Sequence, residues 1–408
     1  MNKAESERLA SSLEQLGYQA TATAEKADFI LLNSCVVRQS AESRVINKLN
    51  AIKSLKRSRP GITLAITGCL VNSDEELLRQ KFPYVDYFFK PGDYPQWLGE
   101  QDKLHPVLPR HPSPSTFVPI IQGCDNFCSY CIVPYRRGRE RSRPVAEIVD
   151  EVKELVHRGV KEVTLLGQNV DSYGHNLPDK PDLADLLNEL NTIDGLTRIR
   201  FLTNHPKDLS LRLIEAVAYL GKVCEQISLP VQSGNDDILK AMRRGYTVEQ
   251  YRQLIGQIRS KIRGVALSTD VIVGFPSESE QQFQQTVDLL SELMFDTVHV
   301  AVYSPRPGTI ASREFEDNIP LAEKKRRRDK IEQLQGRIAT EINAQLLDST
   351  VEVLVEGKKG DKWQGRTRSG KLVFFNSNGD CLGRLLKIRI KQTSPWSLQG
   401  RVESGSTD

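Results

Sequence analysis

The sequence predicts an α/β protein with three consecutive parts: an N-terminal parallel α/β sheet domain, a central partial (βα)6 barrel and a C-terminal small β-barrel. Over most of the chain, short apolar runs alternate with segments of helical periodicity, which is typical of parallel sheets covered by helices. Near the end, alternating apolar residues are separated by glycine-rich turns, as in a small barrel. We expect the three parts to span residues 1–101, 116–345 and 346–406.

The N-terminal domain is predicted from two helices and two strands. Apolar residues at helical spacing predict helices over 5–16 and 39–55. Short apolar runs rich in β-branched residues predict buried strands at 28–33 and 62–67. A proline-rich stretch at 102–115 is predicted to link this domain to the next.

Six βα units are predicted in the central part, which favours a partial barrel over a closed eightfold one. The predicted strands are 117–121, 162–166, 199–202, 226–229, 265–273 and 297–303. Parallel barrels carry their chemistry at the carboxyl ends of their strands, and polar or glycine residues follow every predicted strand. These residues are Cys124, Gln168, Asn169, Thr203, Asn204, Gln232, Ser233, Gly274 and Ser304. Their recurrence predicts one shared active-site face.

The last part of the chain combines a long polar helix, predicted over 318–347, with a small basic barrel. Strands are predicted at 351–355, 372–375 and 385–390. Residues 351–391 contain ten Lys or Arg against four Asp or Glu. Such a barrel can bind RNA through phosphate contacts and base stacking. The alternative is that its aromatic residues only fill the barrel core.

The composition excludes several classes of protein. Hydrophobic residues make up 39% and charged residues 26% of the chain, which is too apolar for a disordered protein. A net charge of +4 does not by itself indicate a nucleic-acid partner. No apolar run approaches the roughly 20 residues of a membrane span, and the first residues lack the apolar core of a secretory signal. We therefore expect a cytoplasmic protein with reduced thiols and no membrane contact. As a separate expectation, the protein is a monomer.

The strongest chemical signal is a cysteine loop directly after the first predicted barrel strand. It contains Cys124, Cys128 and Cys131 within eight residues. Three thiolates this close can hold a cuboidal iron–sulfur cluster and leave its fourth iron open for a substrate. A structural zinc site normally needs a fourth protein ligand, and neither His105 nor His111 has zinc-finger spacing from this loop. The loop therefore favours an iron–sulfur site over zinc.

The loop resembles the Cys-x3-Cys-x-aromatic-Cys signature of radical S-adenosylmethionine enzymes, with Tyr130 as the aromatic residue. The resemblance implies that Cys124, Cys128 and Cys131 are catalytic residues and hold a [4Fe-4S] cluster. It also implies binding and reductive cleavage of S-adenosylmethionine to a 5′-deoxyadenosyl radical, with an electron donor such as a flavodoxin or ferredoxin.

Further residues near the loop are candidates for binding. The candidate contacts to S-adenosylmethionine are Tyr130, Gln168, Asn169, Gln232 and Ser233. For the four polar residues that follow strands, the alternative is capping of the loop backbone. Arginines at positions 136, 137, 139, 141 and 143 can steer an RNA phosphate backbone, or are simply exposed to solvent.

Other stretches resemble the radical S-adenosylmethionine methylthiotransferases. They are 132–143, 166–174, 204–208, 229–234 and 303–309. The similarity extends over nearly the whole chain, and the C-terminal barrel is similar to a TRAM domain. Two of the stretches most resemble the branch that methylthiolates C2 of N6-isopentenyladenosine in the tRNA anticodon stem-loop, with S-adenosylmethionine supplying both the radical and the methyl group. The branch acting on N6-threonylcarbamoyladenosine is the nearer alternative, and the ribosomal-protein branch is more distant.

The family resemblance also implies a second [4Fe-4S] cluster, held by three cysteines of the N-terminal domain. Cys35 and Cys69 match two of them, each just past a predicted parallel strand and therefore expected at one edge of the sheet. The alternative is two buried structural thiols, as we expect for Cys224 and Cys381.

The third matching cysteine and the first strand of this domain would precede Met1. We therefore expect that translation begins upstream of Met1; the alternative is that the chain is truncated. A truncated form would cleave S-adenosylmethionine without inserting sulfur. A non-enzymatic RNA-binding protein is the remaining possibility, and the intact cysteine loop argues against it.

Overall fold

The computed structural model describes residues 1–34, 39–71, 75–91, 93–98, 108–109 and 111–403. Within them, the α/β fold class predicted from the sequence is confirmed. Half of the stretch predicted as a linker, residues 102–107 and 110, lies outside the described residues. In the part of the chain that the structure describes, no helix is both long and apolar enough to cross a membrane.

The N-terminal part is a parallel sheet with helices on both faces. Its elements are α1 (Asn2–Gln15), β1 (Phe29–Ser34), α2 (Gln39–Ser58), β2 (Thr63–Gly68), α3 (Glu75–Lys81) and β3 (Tyr87–Phe88). The strand order is β1-β2-β3. Leu64 and Ile66 of β2 pack in a core with α2 and α3, whereas Ala65 packs with Leu9 of α1 on the other face. Burial on both faces explains why three successive residues of β2, 64 to 66, are all apolar.

The central part is a partial barrel. Its elements are β4 (Ser115–Pro119), β5 (Ile121–Gln122), α4 (Val133–Arg137), β6 (Arg141–Ser142), α5 (Val145–His157), β7 (Glu162–Leu166), α6 (Leu183–Asn191), β8 (Arg198–Phe201), α7 (Leu211–Tyr219), β9 (Gln226–Ser228), α8 (Asp236–Ala241), α9 (Val248–Lys261), β10 (Ala266–Val273), α10 (Glu280–Leu293), β11 (Thr297–Val302), α11 (Ile310–Glu314) and α12 (Leu321–Ala344). Strands β4, β7 and β8 form one parallel sheet and β9, β10 and β11 another. A parallel bridge between Ile199 and Val223 lies where the two sheets meet. The prediction of six parallel strands is confirmed.

The C-terminal part is a closed barrel of five strands. They are β12 (Thr350–Lys359), β13 (Lys362–Thr367), β14 (Leu372–Asn376), β15 (Leu385–Thr393) and β16 (Leu398–Val402), in the order β12-β13-β14-β16-β15. Trp363 and Phe375 lie in its core, whereas Phe374 is half-buried with Lys359 over its ring. Two of these three aromatic residues therefore fill the core, whereas Trp396, in the turn before β16, is 61% exposed.

The small barrel packs against the amino ends of the central strands. Arg198 at the start of β8 donates to the carbonyl oxygen of Arg366 at 2.8 Å. Arg200 donates to the carbonyl oxygens of Thr367 and Arg368, both at 2.7 Å. The opposite edge of the central barrel, where its parallel strands end, carries the cysteine loop.

Candidate iron–sulfur and S-adenosylmethionine site

The cysteine loop begins at a glycine that no other residue can replace without moving the backbone. Gly123 has a φ of +85°, and a Cβ there would lie 2.1 Å from the carbonyl oxygen of Arg139, so the close approach of the two segments requires glycine. The Gly123 N–H donates to Oε1 of Gln168 at 2.6 Å. Gln168, a predicted S-adenosylmethionine contact, therefore anchors the start of the loop.

The middle of the loop is fixed by two neighbouring elements. Ser129 is fully buried; its N–H donates to the carbonyl oxygen of Met242 at 3.0 Å and its hydroxyl to that of Ala241 at 2.7 Å. Its own carbonyl accepts from the Ala311 N–H at 2.7 Å. These bonds hold the backbone between the second and third cysteines in place, which is the preorganisation that a metal site needs.

The three thiols of the loop fit an iron–sulfur cluster. Cys128 is buried and Cys124 and Cys131 are half-buried, all unpaired by disulfides. Burial raises the pKa of Cys124 to about 11 and that of Cys131 to about 12, so their thiolate forms need a positive partner such as iron. Among the described residues, no three His, Cys, Asp or Glu side chains surround one metal-ion position. In an iron–sulfur cluster each of the three cysteines would bind a different iron, so the thiols need not share one metal position.

Two of the predicted S-adenosylmethionine contacts have buried oxygens without a partner. Asn169 donates to Ser172 Oγ at 2.6 Å and to Asp208 Oδ2 at 2.7 Å, but its Oδ1 accepts no hydrogen bond. Gln232, with a φ of +70°, likewise has a buried Oε1 without a donor. An unsatisfied buried acceptor costs about 1–3 kcal/mol. These two oxygens are therefore available to donors of a bound ligand.

The other two predicted contacts have different surroundings. Ser233 is fully buried; its hydroxyl lies 3.5 Å from that of Thr286 and accepts from the Asn235 N–H at 3.3 Å. This favours the alternative of backbone capping. Tyr130 is half-buried at the edge of an apolar cluster that includes Phe275 and Tyr303.

A network of buried polar residues lies behind the loop. Asp171 accepts from the His205 N–H at 2.7 Å and from the side chain of Asn204; burial raises the pKa of Asp171 to about 7. Burial also lowers the pKa of His205 to about 3, so its imidazole is neutral at physiological pH. Asp208 connects the network to the loop by accepting from Asn126 Nδ2 at 3.1 Å.

The arginines beside the loop are partly engaged within the protein. Arg137 donates to Asn2 Oδ1 at 2.6 Å, and Arg139 pairs with Asp125 at 2.9 Å. Arg143 pairs with buried Glu151 at 2.6 Å. At least three of the five therefore have polar partners within the protein, whatever they contribute to steering RNA.

Of the two N-terminal cysteines, the structure describes Cys69 and not Cys35. Cys69 follows the last β1–β2 register pair, Ser34 with Gly68. It is 2% exposed, and its N–H donates to the carbonyl oxygen of Ser34 at 2.9 Å. Asn2 donates to the same carbonyl at 2.9 Å and accepts from Arg137 of α4. This edge of the N-terminal sheet therefore packs against the helix that follows the cysteine loop.

Arg244 is a site residue that the sequence analysis missed. Its Nη1 lies 3.3 Å from Sγ of Cys128. The two residues are 116 positions apart, and nothing in the local sequence distinguishes Arg244 from its neighbour Arg243. Only the packing of the turn after α8 on the cysteine loop reveals the contact.

Comparison with known families agrees with this architecture. Residues 118–290 match the Radical SAM superfamily, residues 1–90 the Uncharacterized protein family UPF0004 and residues 346–402 the TRAM domain. The radical S-adenosylmethionine methyltransferase TsrM from Kitasatospora setae has the same fold, with a TM-score of 0.53 at 14% identity over 76% of this chain and 70% of that one. The fold and the site thus define a radical S-adenosylmethionine enzyme, a class that implies a [4Fe-4S] cluster and S-adenosylmethionine.

The curated relatives identify the family. The tRNA-2-methylthio-N(6)-dimethylallyladenosine synthase of Dehalococcoides mccartyi (strain CBDB1) is 54% identical over 402 residues, covering 98% of this chain and 96% of the relative. The enzymes of the same name from Chloroflexus aurantiacus and Moorella thermoacetica are 48% and 43% identical, covering 98% and 99% of this chain and 89% and 96% of the relatives. The chain belongs to the family of tRNA-2-methylthio-N(6)-dimethylallyladenosine synthases, which confirms the predicted resemblance.

Proposed function

We propose that this protein methylthiolates C2 of N6-isopentenyladenosine (N6-dimethylallyladenosine) in the anticodon stem-loop of tRNA. The observation that carries the proposal is a preorganised three-cysteine loop at the carboxyl edge of a partial barrel. The chain is also similar, over nearly its whole length, to enzymes named for this reaction. The relatives are named for the dimethylallyl substrate, so we do not propose N6-threonylcarbamoyladenosine.

The residues of the site divide the work as follows. Cys124, Cys128 and Cys131 hold the cluster. When bound, the cluster and S-adenosylmethionine supply a radical that can abstract hydrogen from an unreactive C–H bond. The free oxygens of Asn169 and Gln232 accept from the amino or hydroxyl groups of S-adenosylmethionine, while Gln168 keeps the loop in place.

A nucleoside assay tests this activity. We expect the gene to convert N6-isopentenyladenosine to its 2-methylthio form in tRNA from a bacterial strain that lacks this modification, as measured by mass spectrometry of tRNA digests. The Cys128→Ala variant, expressed at the same level, serves as the matched control and should leave the nucleoside unmodified. Methylthiolation of N6-threonylcarbamoyladenosine instead would contradict the proposed substrate.

We also propose that Cys69 and Cys35 contribute ligands to a second iron–sulfur site that supplies sulfur. The position of Cys69 supports this, because it lies at the carboxyl edge of a parallel sheet, where such folds bind their ligands. The contacts of Asn2 with Ser34 and Arg137 place that edge beside α4. A sulfur-supplying site there would adjoin the radical site.

Replacing Cys69 by alanine should separate the two activities. We expect the variant to lose the iron of the second site and to stop methylthiolating tRNA, while it still cleaves S-adenosylmethionine. Iron and sulfide counts after anaerobic reconstitution, together with the yield of 5′-deoxyadenosine, measure both effects. Cys381→Ala removes an equally buried thiol from the small barrel and should change neither. Full methylthiolation by Cys69→Ala would show that Cys69 is only structural.

The partners follow from this chemistry. We propose that a flavodoxin or ferredoxin reduces the cluster, and that the protein acts as a monomer on tRNA in the cytoplasm, the reducing compartment in which cysteines remain available to iron.

A further inference from the structure

A buried arginine contacts the cysteine loop through one hydrogen bond and is held in place by two others. Arg244 is 5% exposed, and its Nη1 donates to Sγ of Cys128 at 3.3 Å. Its Nη2 donates to the carbonyl oxygen of Pro230 at 3.0 Å and its Nε to the hydroxyl of Tyr246 at 3.0 Å. That hydroxyl in turn donates to the carbonyl oxygen of Val231 at 2.8 Å. The plane of the guanidinium is therefore set independently of the thiol.

Arg244 differs from the other buried arginines in its partner. Five arginines are buried in the part of the chain that the structure describes. Four of them pair with a glutamate: Arg198 with Glu352, Arg200 with Glu162, Arg306 with Glu42 and Arg327 with Glu278. The contacts of Arg244 are instead a thiol, a carbonyl and a phenol.

A buried cation without a carboxylate is costly. Arginine cannot lose its proton in a protein, and removing a charge from water costs several kcal/mol unless an opposite charge lies close by. A cluster held by three thiolates carries net negative charge, and it becomes more negative on reduction. Arg244, the buried arginine without a carboxylate partner, would therefore lie next to the negative charge of the cluster.

We propose that Arg244 is a positioning residue that orients the Cys128 thiolate and raises the reduction potential of the cluster. Hydrogen bonds to ligand sulfur atoms and nearby charge are two means by which proteins tune such clusters. This proposal rests on the assignment of the cluster to Cys124, Cys128 and Cys131. The turn that carries Arg244 is attached directly to the cysteine loop, because Ser129 of the loop donates to the carbonyl oxygens of Ala241 and Met242.

The test is a redox titration of the reconstituted protein, followed by electron paramagnetic resonance. In Arg244→Gln, we expect the equilibrium constant for one-electron reduction to fall about tenfold, which is a shift of about 59 mV to more negative potential. Arg244→Lys keeps the charge but not the three-way contact, so it should lie between wild type and Arg244→Gln. Arg243→Gln is the matched control, because Arg243 is exposed and pairs with Glu314 at 3.1 Å; its potential should equal that of the wild type.

The outcomes separate this proposal from the activity proposed above. Wild-type potentials in both Arg244 variants, at full iron content, would overturn it. If Arg244→Gln binds less iron, the deciding variant is Tyr246→Phe, which removes only the hydroxyl that accepts from Nε of Arg244. A smaller negative shift of its reduction potential supports the proposal, and an unchanged potential overturns it. A shifted potential in a protein that fails to methylthiolate tRNA would count against the substrate and not against the role of Arg244.

Discussion

Replacing Cys128 by alanine is expected to abolish reductive cleavage of S-adenosylmethionine while the protein remains folded. The substitution removes one of three cluster ligands, and a site with two thiolates would leave two irons without protein ligands. The loop itself should keep its shape, because the hydrogen bonds of Ser129 to Ala241, Met242 and Ala311 do not involve the thiol. The yield of 5′-deoxyadenosine under anaerobic reducing conditions should fall to background.

Cys224→Ala is the control for this prediction. Cys224 is as buried as Cys128, at 1% against 8% exposed, but it lies next to the start of β9 at the opposite end of the barrel. It should lower stability through a small cavity and leave cleavage intact. A wild-type yield of 5′-deoxyadenosine from Cys128→Ala would contradict the assignment of the cluster, whereas loss of activity in both variants would point to unfolding, which thermal melting would detect.

The elements that could be predicted from sequence are those whose signal is local. The strand over 162–166 is observed with the predicted bounds, because a short run rich in apolar and β-branched residues specifies a strand. Strands β13 and β16 were missed. Lys362–Thr367 and Leu398–Val402 are short, polar and contain glycine, so their strand conformation depends on pairing with β14 and β15 and not on propensity.

The same distinction applies to the site. The three cysteines are close in the sequence, so their spacing alone could predict their chemistry. The role of Arg244 could not be predicted, because a single arginine in a sequence normally indicates an exposed residue. The basic run of the long helix, residues 324–328, behaves in the same way: Lys324 and Arg327 are buried, and Arg327 pairs with Glu278 at 2.9 Å. The roles of these buried basic residues therefore depend on partner residues that lie far away in the sequence.

The docked position of the small barrel changes how its RNA binding should be tested. Deleting the barrel would remove the carbonyl oxygens that accept from Arg198 and Arg200. Two buried guanidinium groups would be left without these acceptors, which is strongly destabilising. Point substitutions on the exposed face of the barrel avoid this problem.

The exposed face of the barrel contains an unfavourable pair that a phosphate would stabilise. Arg389 of β15 lies directly opposite Arg401 of β16 in the antiparallel register, and both side chains are exposed. Like charges directly opposite each other destabilise a sheet. Thr350 and Asn376 continue the same row on the neighbouring strands and are exposed as well. The row therefore offers two cations flanked by polar side chains to an RNA backbone.

Replacing Arg389 by glutamate should change stability and RNA affinity in opposite directions. The new carboxylate would face Arg401 as an opposite charge, and we expect the barrel to gain up to about 1 kcal/mol of stability. Affinity for tRNA should fall, and the log–log salt slope should shrink by about 0.7 to 0.9 for each phosphate that the protein no longer neutralises. Arg263→Glu makes the same charge change in the exposed turn between α9 and β10 and should affect neither quantity. Cleavage of S-adenosylmethionine without RNA should be unchanged in both variants. If Arg389→Glu stabilises the barrel but binds tRNA with unchanged affinity and salt slope, this face does not contact the RNA backbone.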